Sequence, residues 1–286
     1  MAVTLTATTP RHRRRLRSLA HNRPAMVAAL FLALIVDSAI LASWLSPTDP
    51  TQPDLLHPFL KPGGAHLLGT DDLGRDVLSR LLYATRISMY ASVAAVGGSL
   101  IIALPLGTLA GYLGGQVDRV VVFLVDVILS VPPLILVFAI AGVLGPSLQN
   151  AIIALAVFFT PMFVRLIRTQ TLRVRHSQLV EATRSIGVGD GSVIIRHVVP
   201  NIAPSIVVQV ALSLGTALLA EASLSFLGIG VKPPTSSWGL MLRTAYDNIT
   251  VHPWLILPPA VAIALTVLAW NLLADGLRHA LGRVSA

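Results

Sequence analysis

Three carboxylates lie inside apolar runs of this sequence: Asp37, Asp126 and Glu221. A charged carboxylate near the centre of a membrane helix costs about 2.5–3.5 kcal/mol, so each requires a partner, a wet cavity or a proton. Asp37 stands among small residues and reads as a structural contact. Asp126 follows Arg119 by two turns, too far for a direct pair on a straight helix. Glu221 is flanked by Ala217, Ala220, Ala222, Ser223 and Ser225, a small-residue face suited to close helix contact or to lining a pathway. Asp126 and Glu221 therefore stand as pathway or gating candidates, with interhelical hydrogen bonding as the alternative. Other chemistries lack their residues. There is no cysteine, which removes thiol nucleophiles, thiolate metal sites and disulfides together. The eight histidines form no i,i+3 or i,i+4 pair on one helix, so no metal site is expected. The sequence holds no G-x-x-x-x-G-K-[ST] phosphate loop and no H-E-x-x-H. Catalytic residues are expected to be absent.

The composition says where these carboxylates sit. Of 286 residues, 54% are hydrophobic and 12% charged, and mean hydropathy is +0.76. A soluble domain carries roughly 25% charged residues. The reading is an all-α integral membrane protein. Net charge is +8. In a soluble chain that would suggest nucleic acid, but in a membrane chain it marks inner loops that retain arginine, and no nucleic-acid partner is expected. Six apolar segments approach the roughly 20 residues needed to cross the hydrocarbon: 25–45, 88–113, 120–144, 151–164, 206–227 and 254–274. With both termini inside, fifteen Arg face inward and six Lys or Arg face outward, which fits the positive-inside rule. The chain divides into a basic inner segment (1–24), a first span (25–45), an external loop with an amphipathic helix (46–87), a five-helix core (88–275) and an inner tail (276–286).

Two stretches between spans are long enough to act. Within the inner loop 169–201, Leu179, Ala182, Thr183 and Ile186 share a stripe at helical spacing. Gly187 is a natural helix-stopping residue, Gly189 and Gly191 keep the turn tight, and Asp190 is placed to cap a second short helix that Pro200 ends. Such amphipathic helices want a groove to lie in, and packing on the membrane surface or on the protein's own spans is the alternative. Outside, Gly69 to Asp76 read as a capped turn opening a helix, with Asp71 or Asp72 at its N-terminus. Asp71, Arg75, Asp76 and the loop tryptophan Trp238 are candidates for external contact, or for a lid against a partner.

Glu181-Ala182-Thr183, Gly187 six residues after the Glu, and Pro200 thirteen after the Gly together resemble the E-A-A…G…P loop of ABC importer permeases. LGTDDLGRDVLSRLLYATRIS (68–88), EASLSFLGIGVKPPTSSWG (221–239) and NLLADGLRHAL (271–281) resemble further segments of the dipeptide, oligopeptide and nickel permeases. The likeness is to their shorter, C-type subunit and covers nearly the whole chain. Thr183 replaces the second Ala of the loop, Ala84 and Ala274 stand where glycine is usual, and Gly282-Arg283 stand where Asp-Pro commonly follows.

The resemblance implies a type I importer permease fold in a bacterial cell membrane. It implies a pathway shared with a second permease, two ATPases that bind ATP and Mg²⁺ below, and an external binding protein that delivers substrate. Glu181 would then be a polar anchor, Gly187 the turn, and Leu179, Ile186 and Val188 the apolar contact with an ATPase. Dipeptides, oligopeptides, nickel chelates, glutathione and haem are the substrate classes that remain. A stand-alone ion-coupled transporter is the rival class, although the paired half-repeats expected of it are not evident.

Overall fold

A computed structural model describes residues 22–282, so the arginine-rich segment through Arg17 and the Gly282-Arg283 departure lie largely outside the described residues. The described chain is helical, and its only bridges of strand type are two isolated pairs in the external segment. Asn22 opens α1 (Arg23–Ile40) by accepting the Ala25 N–H, and a single turn, α2 (Ala42–Leu45), follows. The long α3 (Val77–Leu113) leads through Gly114 into α4 (Gly115–Leu129). Then come α5 (Pro133–Leu144) and α6 (Leu148–Arg175). The inner loop holds α7 (Gln178–Ser185) and α8 (Asp190–Val193), which runs through a π-helical turn (Ile194–Val198) into α9 (Val199–Phe226). Finally, α10 (Trp238–Asp247) and a short 3₁₀ turn (Pro253–Ile256) precede α11 (Leu257–Gly282).

Five helices among the described residues are long and apolar enough to cross a membrane. The expected third span, 120–144, is not one of them. Ser130 to Pro132 break it into α4 and α5, because Pro132 and Pro133 lack N–H groups and the residue before a proline leaves the helical region. At 1.5 Å per residue, α4 and α5 are about 22 and 18 Å long, each too short alone for a 30 Å core. The second span starts at Val77, not Ser88, so the amphipathic helix expected in the external loop is the outer end of α3. The fourth extends well past Val164, to Arg175.

The core forms where α3 meets α6. Gly98 faces Ala156, Gly107 faces Val164 and Ile167, and Gly111 faces Arg168 and Thr171. The numbers rise together, so the two helices run parallel. Small residues allow this approach: a Cβ on Gly111 would lie 2.7 Å from the Arg168 carbonyl oxygen and from Thr171 Cβ. Membrane helices associate through such close packing, since lipid supplies no hydrophobic drive between them. Ala103, Ala110, Tyr112, Phe163, Val164 and Ile167 are buried along the seam.

On α4, Val121 and Val125 are the buried residues. Asp118 bonds Arg168 through both carboxylate oxygens, and Asp126 accepts from Arg165 at 2.6 Å. Here the numbers run in opposite senses, so α4 returns antiparallel to α6. At the far side of the bundle, α1 packs its Ala28 and Leu32 against Ala269 of α11. Asp37 is exposed on α1, so among the described residues the structural contact expected of it is not made.

Gly111→Leu is expected to destabilise the bundle by roughly 1–3 kcal/mol through overpacking. Gly98→Ala, which brings its Cβ only to 3.4 Å of Ala156, should be close to neutral. Thermal unfolding of the detergent-solubilised protein separates the two.

Candidate functional site: the inner elbow and its anchors

The inner loop folds into an elbow whose turn follows from one residue. Ile186 ends α7, and Gly187 takes φ +81°, a region that costs other residues about 1–2 kcal/mol. That geometry lets the Gly187 N–H reach the Arg184 carbonyl at 2.9 Å and the Val188 N–H reach the Thr183 carbonyl at 3.4 Å. Two C-terminal carbonyls are thereby satisfied in a Schellman arrangement. Nothing lies within 4 Å of where a Gly187 Cβ would be, so backbone conformation rather than space makes glycine necessary here.

The expected stripe exists, and it faces out. Leu179 is 53% and Ile186 79% exposed; Glu181 and Ala182 are exposed beside them, with Thr183 and Val188 half-buried. The residue that holds α7 to the bundle is Val180, fully buried and one position off the stripe. The second arm departs from expectation. Gly189, not Asp190, occupies the cap position, and Pro200 ends no helix. Proline sits at the second position of α9, and the wider π turn before it relieves its clash with the preceding carbonyl. From Asp190 to Phe226 the chain is one continuous rod.

Sequence reasoning missed the polar triangle behind the elbow. The Tyr112 hydroxyl, at the inner end of α3, donates to Asp190 Oδ1 at 2.7 Å. Arg184 donates from Nε to the Tyr112 hydroxyl at 3.0 Å and from Nη2 to Asp190 at 3.2 Å. Its guanidinium carbon lies 4.7 Å from the centre of the Tyr112 ring. Hydrogen bonds to Asp190 and then to Tyr112 push the Arg184 guanidinium above its ordinary range. The only signal in the sequence was a tyrosine closing an apolar run just before paired glycines.

The candidate external-contact residues Asp71, Arg75, Asp76 and Trp238 are buried within this chain. Asp76, not Asp71 or Asp72, caps α3, accepting the Ser79 N–H at 2.7 Å. Asp71 Oδ1 accepts the Leu73 and Arg75 N–H groups at 2.9 Å each. Its Oδ2 faces Arg75 Nε at 2.9 Å and Arg80 Nε at 3.2 Å. Arg80 also reaches Ser236 at 3.3 Å. Trp238, 1% exposed, donates its backbone N–H to Ser88 at 3.1 Å and its indole N–H to the Leu81 carbonyl at 3.3 Å. These groups tie the external segment and α10 to the outer end of α3.

The two pathway candidates part company. Glu221 is 1% exposed and accepts from Ser225 at 2.7 Å, while its second oxygen has no hydrogen-bond partner among the described residues; Ser88 and Ser237 lie close by. Asp126 and Arg165 have side chains more than half exposed. No group of three or more His, Asp or Glu able to hold a metal occurs among the described residues.

With this geometry in view, residues 103–284 match the family described as "Binding-protein-dependent transport system inner membrane component". The chain belongs to this family. Residues 12–62 match the "N-terminal TM domain of oligopeptide transport permease C". The chain is similar to the di/tripeptide transport system permease protein of Pseudomonas aeruginosa, with 42% identity over 93% of this chain and 89% of that protein. Against the glutathione transport system permease protein of Pectobacterium atrosepticum the identity is 39%, over 93% and 88%. Among solved structures it is similar to the MetNI methionine ABC transporter in an inward-facing conformation, with TM-score 0.55 and 20% identity over 69% of this chain and 95% of that one. The fold is that of a type I ABC importer permease, and the chain is a non-catalytic permease subunit of the inner membrane.

In this permease Asp71→Ala is expected to cost roughly 3–5 kcal/mol, because it strands two buried arginines. Asp72→Ala, whose carboxyl is partly exposed and 3.4 Å from Arg75, should cost under about 1 kcal/mol. Unfolding midpoints in detergent check both.

Proposed function

We propose that this chain carries peptides or the peptide-like glutathione inward, as one of two permease subunits driven by two cytoplasmic ATPases and fed by an external binding protein. The elbow is the observation that carries the reading. A short helix presents Leu179, Ala182 and Ile186 away from its own bundle, on an arginine-rich inner loop, with Glu181 beside them. A monomer gains nothing from such a face; an ATPase cleft that receives it buries the apolar stripe and gives Glu181 a polar partner. The names of the relatives support peptides and glutathione over nickel chelates or haem.

Six crossings with both termini inside fit the helix directions. Because α3 and α6 run parallel, the chain between them must return across the membrane, and α4 with α5 supply that broken passage. The exposed Asp126–Arg165 pair lies on this passage, a placement suited to the wet pathway between two permeases, since intramembrane ion pairs face cavities or partners. Glu221, sealed between α9, α3 and the outer loop, acts as an interhelical contact. Exposed Val120, Phe123, Leu124 and Val127 on α4 are open to lipid or to the second permease.

Two experiments follow. Co-expressed with its partner ATPases, Leu179→Glu/Ile186→Glu should lower the amount of ATPase retained on purification at least about tenfold, while membrane insertion persists; unchanged retention refutes docking at the elbow. In proteoliposomes holding the assembled complex, Gly187→Val should reduce uptake of a labelled dipeptide several-fold relative to ATP hydrolysed, because the strained turn misplaces the stripe. Uptake by the isolated chain would favour an ion-coupled transporter instead.

A further inference from the structure

The elbow is connected to the rest of the protein unevenly. Its first arm continues α6 after a break at His176 and its second arm runs directly into α9, so both helices follow any displacement of the elbow through the chain itself. No covalent continuity links the elbow to α3, whose inner end lies beside it. The polar contact there is the triangle of Tyr112, Arg184 and Asp190. Arg184 ends the first arm and Asp190 begins the second, so their 3.2 Å bond brackets the Gly187 turn. Tyr112 receives both: its hydroxyl donates to Asp190 and accepts from Arg184.

Tyr112 is built to stay where it is. Its residue is fully buried, and the neighbouring Gly111 presses α3 against the backbone of α6. From there α3 extends for 37 residues, about 55 Å at helical rise. At its other end Asp76 bonds His66, Arg80 bonds Asp71 and Ser236, and Ser88 accepts from Trp238 of α10. Arg184 projects about 140° around α7 from Leu179, so the apolar stripe can be covered while the triangle stays made.

We infer that Tyr112 is a positioning residue that makes α3 follow the elbow, so that a displacement at the ATPase reaches the outer side along this helix. The inference rests on the proposal that ATPases dock at the elbow. It assigns coupling work to a side chain that touches neither the ATPase face nor the substrate. The isolated Arg184–Asp190 pair is substantially exposed and would hold little on its own; the buried ring gives it a fixed anchor.

Tyr112→Phe removes the hydroxyl and keeps the ring, so the α3–α6 seam is preserved. In proteoliposomes containing the full complex, labelled dipeptide transported per ATP hydrolysed is expected to fall about threefold or more, with ATPases still bound. Asp190→Ala should do the same, and the double variant should be no worse than either single, because all three remove one connection. An unchanged transport-to-hydrolysis ratio in Tyr112→Phe overturns the inference. So does additive loss in the double variant, or loss of the ATPases from the complex, which would make Tyr112 a docking residue. Failure of the wild-type chain to retain ATPases is a different result and refutes the underlying docking proposal itself.

Discussion

The parallel contact between α3 and α6 is the constraint from which the rest of this structure follows. Two helices separated by some thirty residues can run side by side in the same direction only if the intervening chain turns back, and the backbone of that return must satisfy its own polar groups in lipid. The broken pair of α4 and α5 makes that return. Glycine at 107 and 111 sets how closely the seam closes, and that closeness fixes where Tyr112 stands relative to the elbow. The same seam aligns the inner arginines of α6 with the carboxylates Asp118 and Asp126 on the returning helix.

Polar chemistry is concentrated at the two ends of α3, and the two ends differ in kind. Outside, Asp71, Arg75 and Arg80 form a buried knot whose members have exchanged water for one another; removing one leaves the others uncompensated. Inside, Arg184 and Asp190 remain partly in water and depend on a single buried ring for their position. The first arrangement favours permanence. The second is open to rearrangement at modest energetic cost.

The fold class, the first, fifth and sixth spans and the turn at Gly187 were legible in the sequence, because each rests on local chemistry: hydropathy over some twenty residues, or one residue tolerant of positive φ. What was not legible depended on neighbours. Tandem proline at 132–133 reads as tolerable inside a span, yet here it breaks the helix. Pro200 reads as a stop, yet a π turn carries the helix through. Asp71 and Asp76 are near-identical in local sequence context, and only the folded external segment makes one the cap and the other the centre of a knot. Val180 was passed over because an outward stripe beside it has the better periodicity. Tyr112 was invisible, its partners lying more than seventy residues away.

The unbroken rod from Asp190 to Phe226 carries a geometric consequence. With no slack joint between elbow and span, α9 answers a torque at its inner end as a crank does, by changing angle rather than by stretching. Over about 55 Å of helix, a tilt of about 10° about the elbow end sweeps the far tip through about 10 Å, so a small change of angle at Asp190 becomes a large displacement at Phe226.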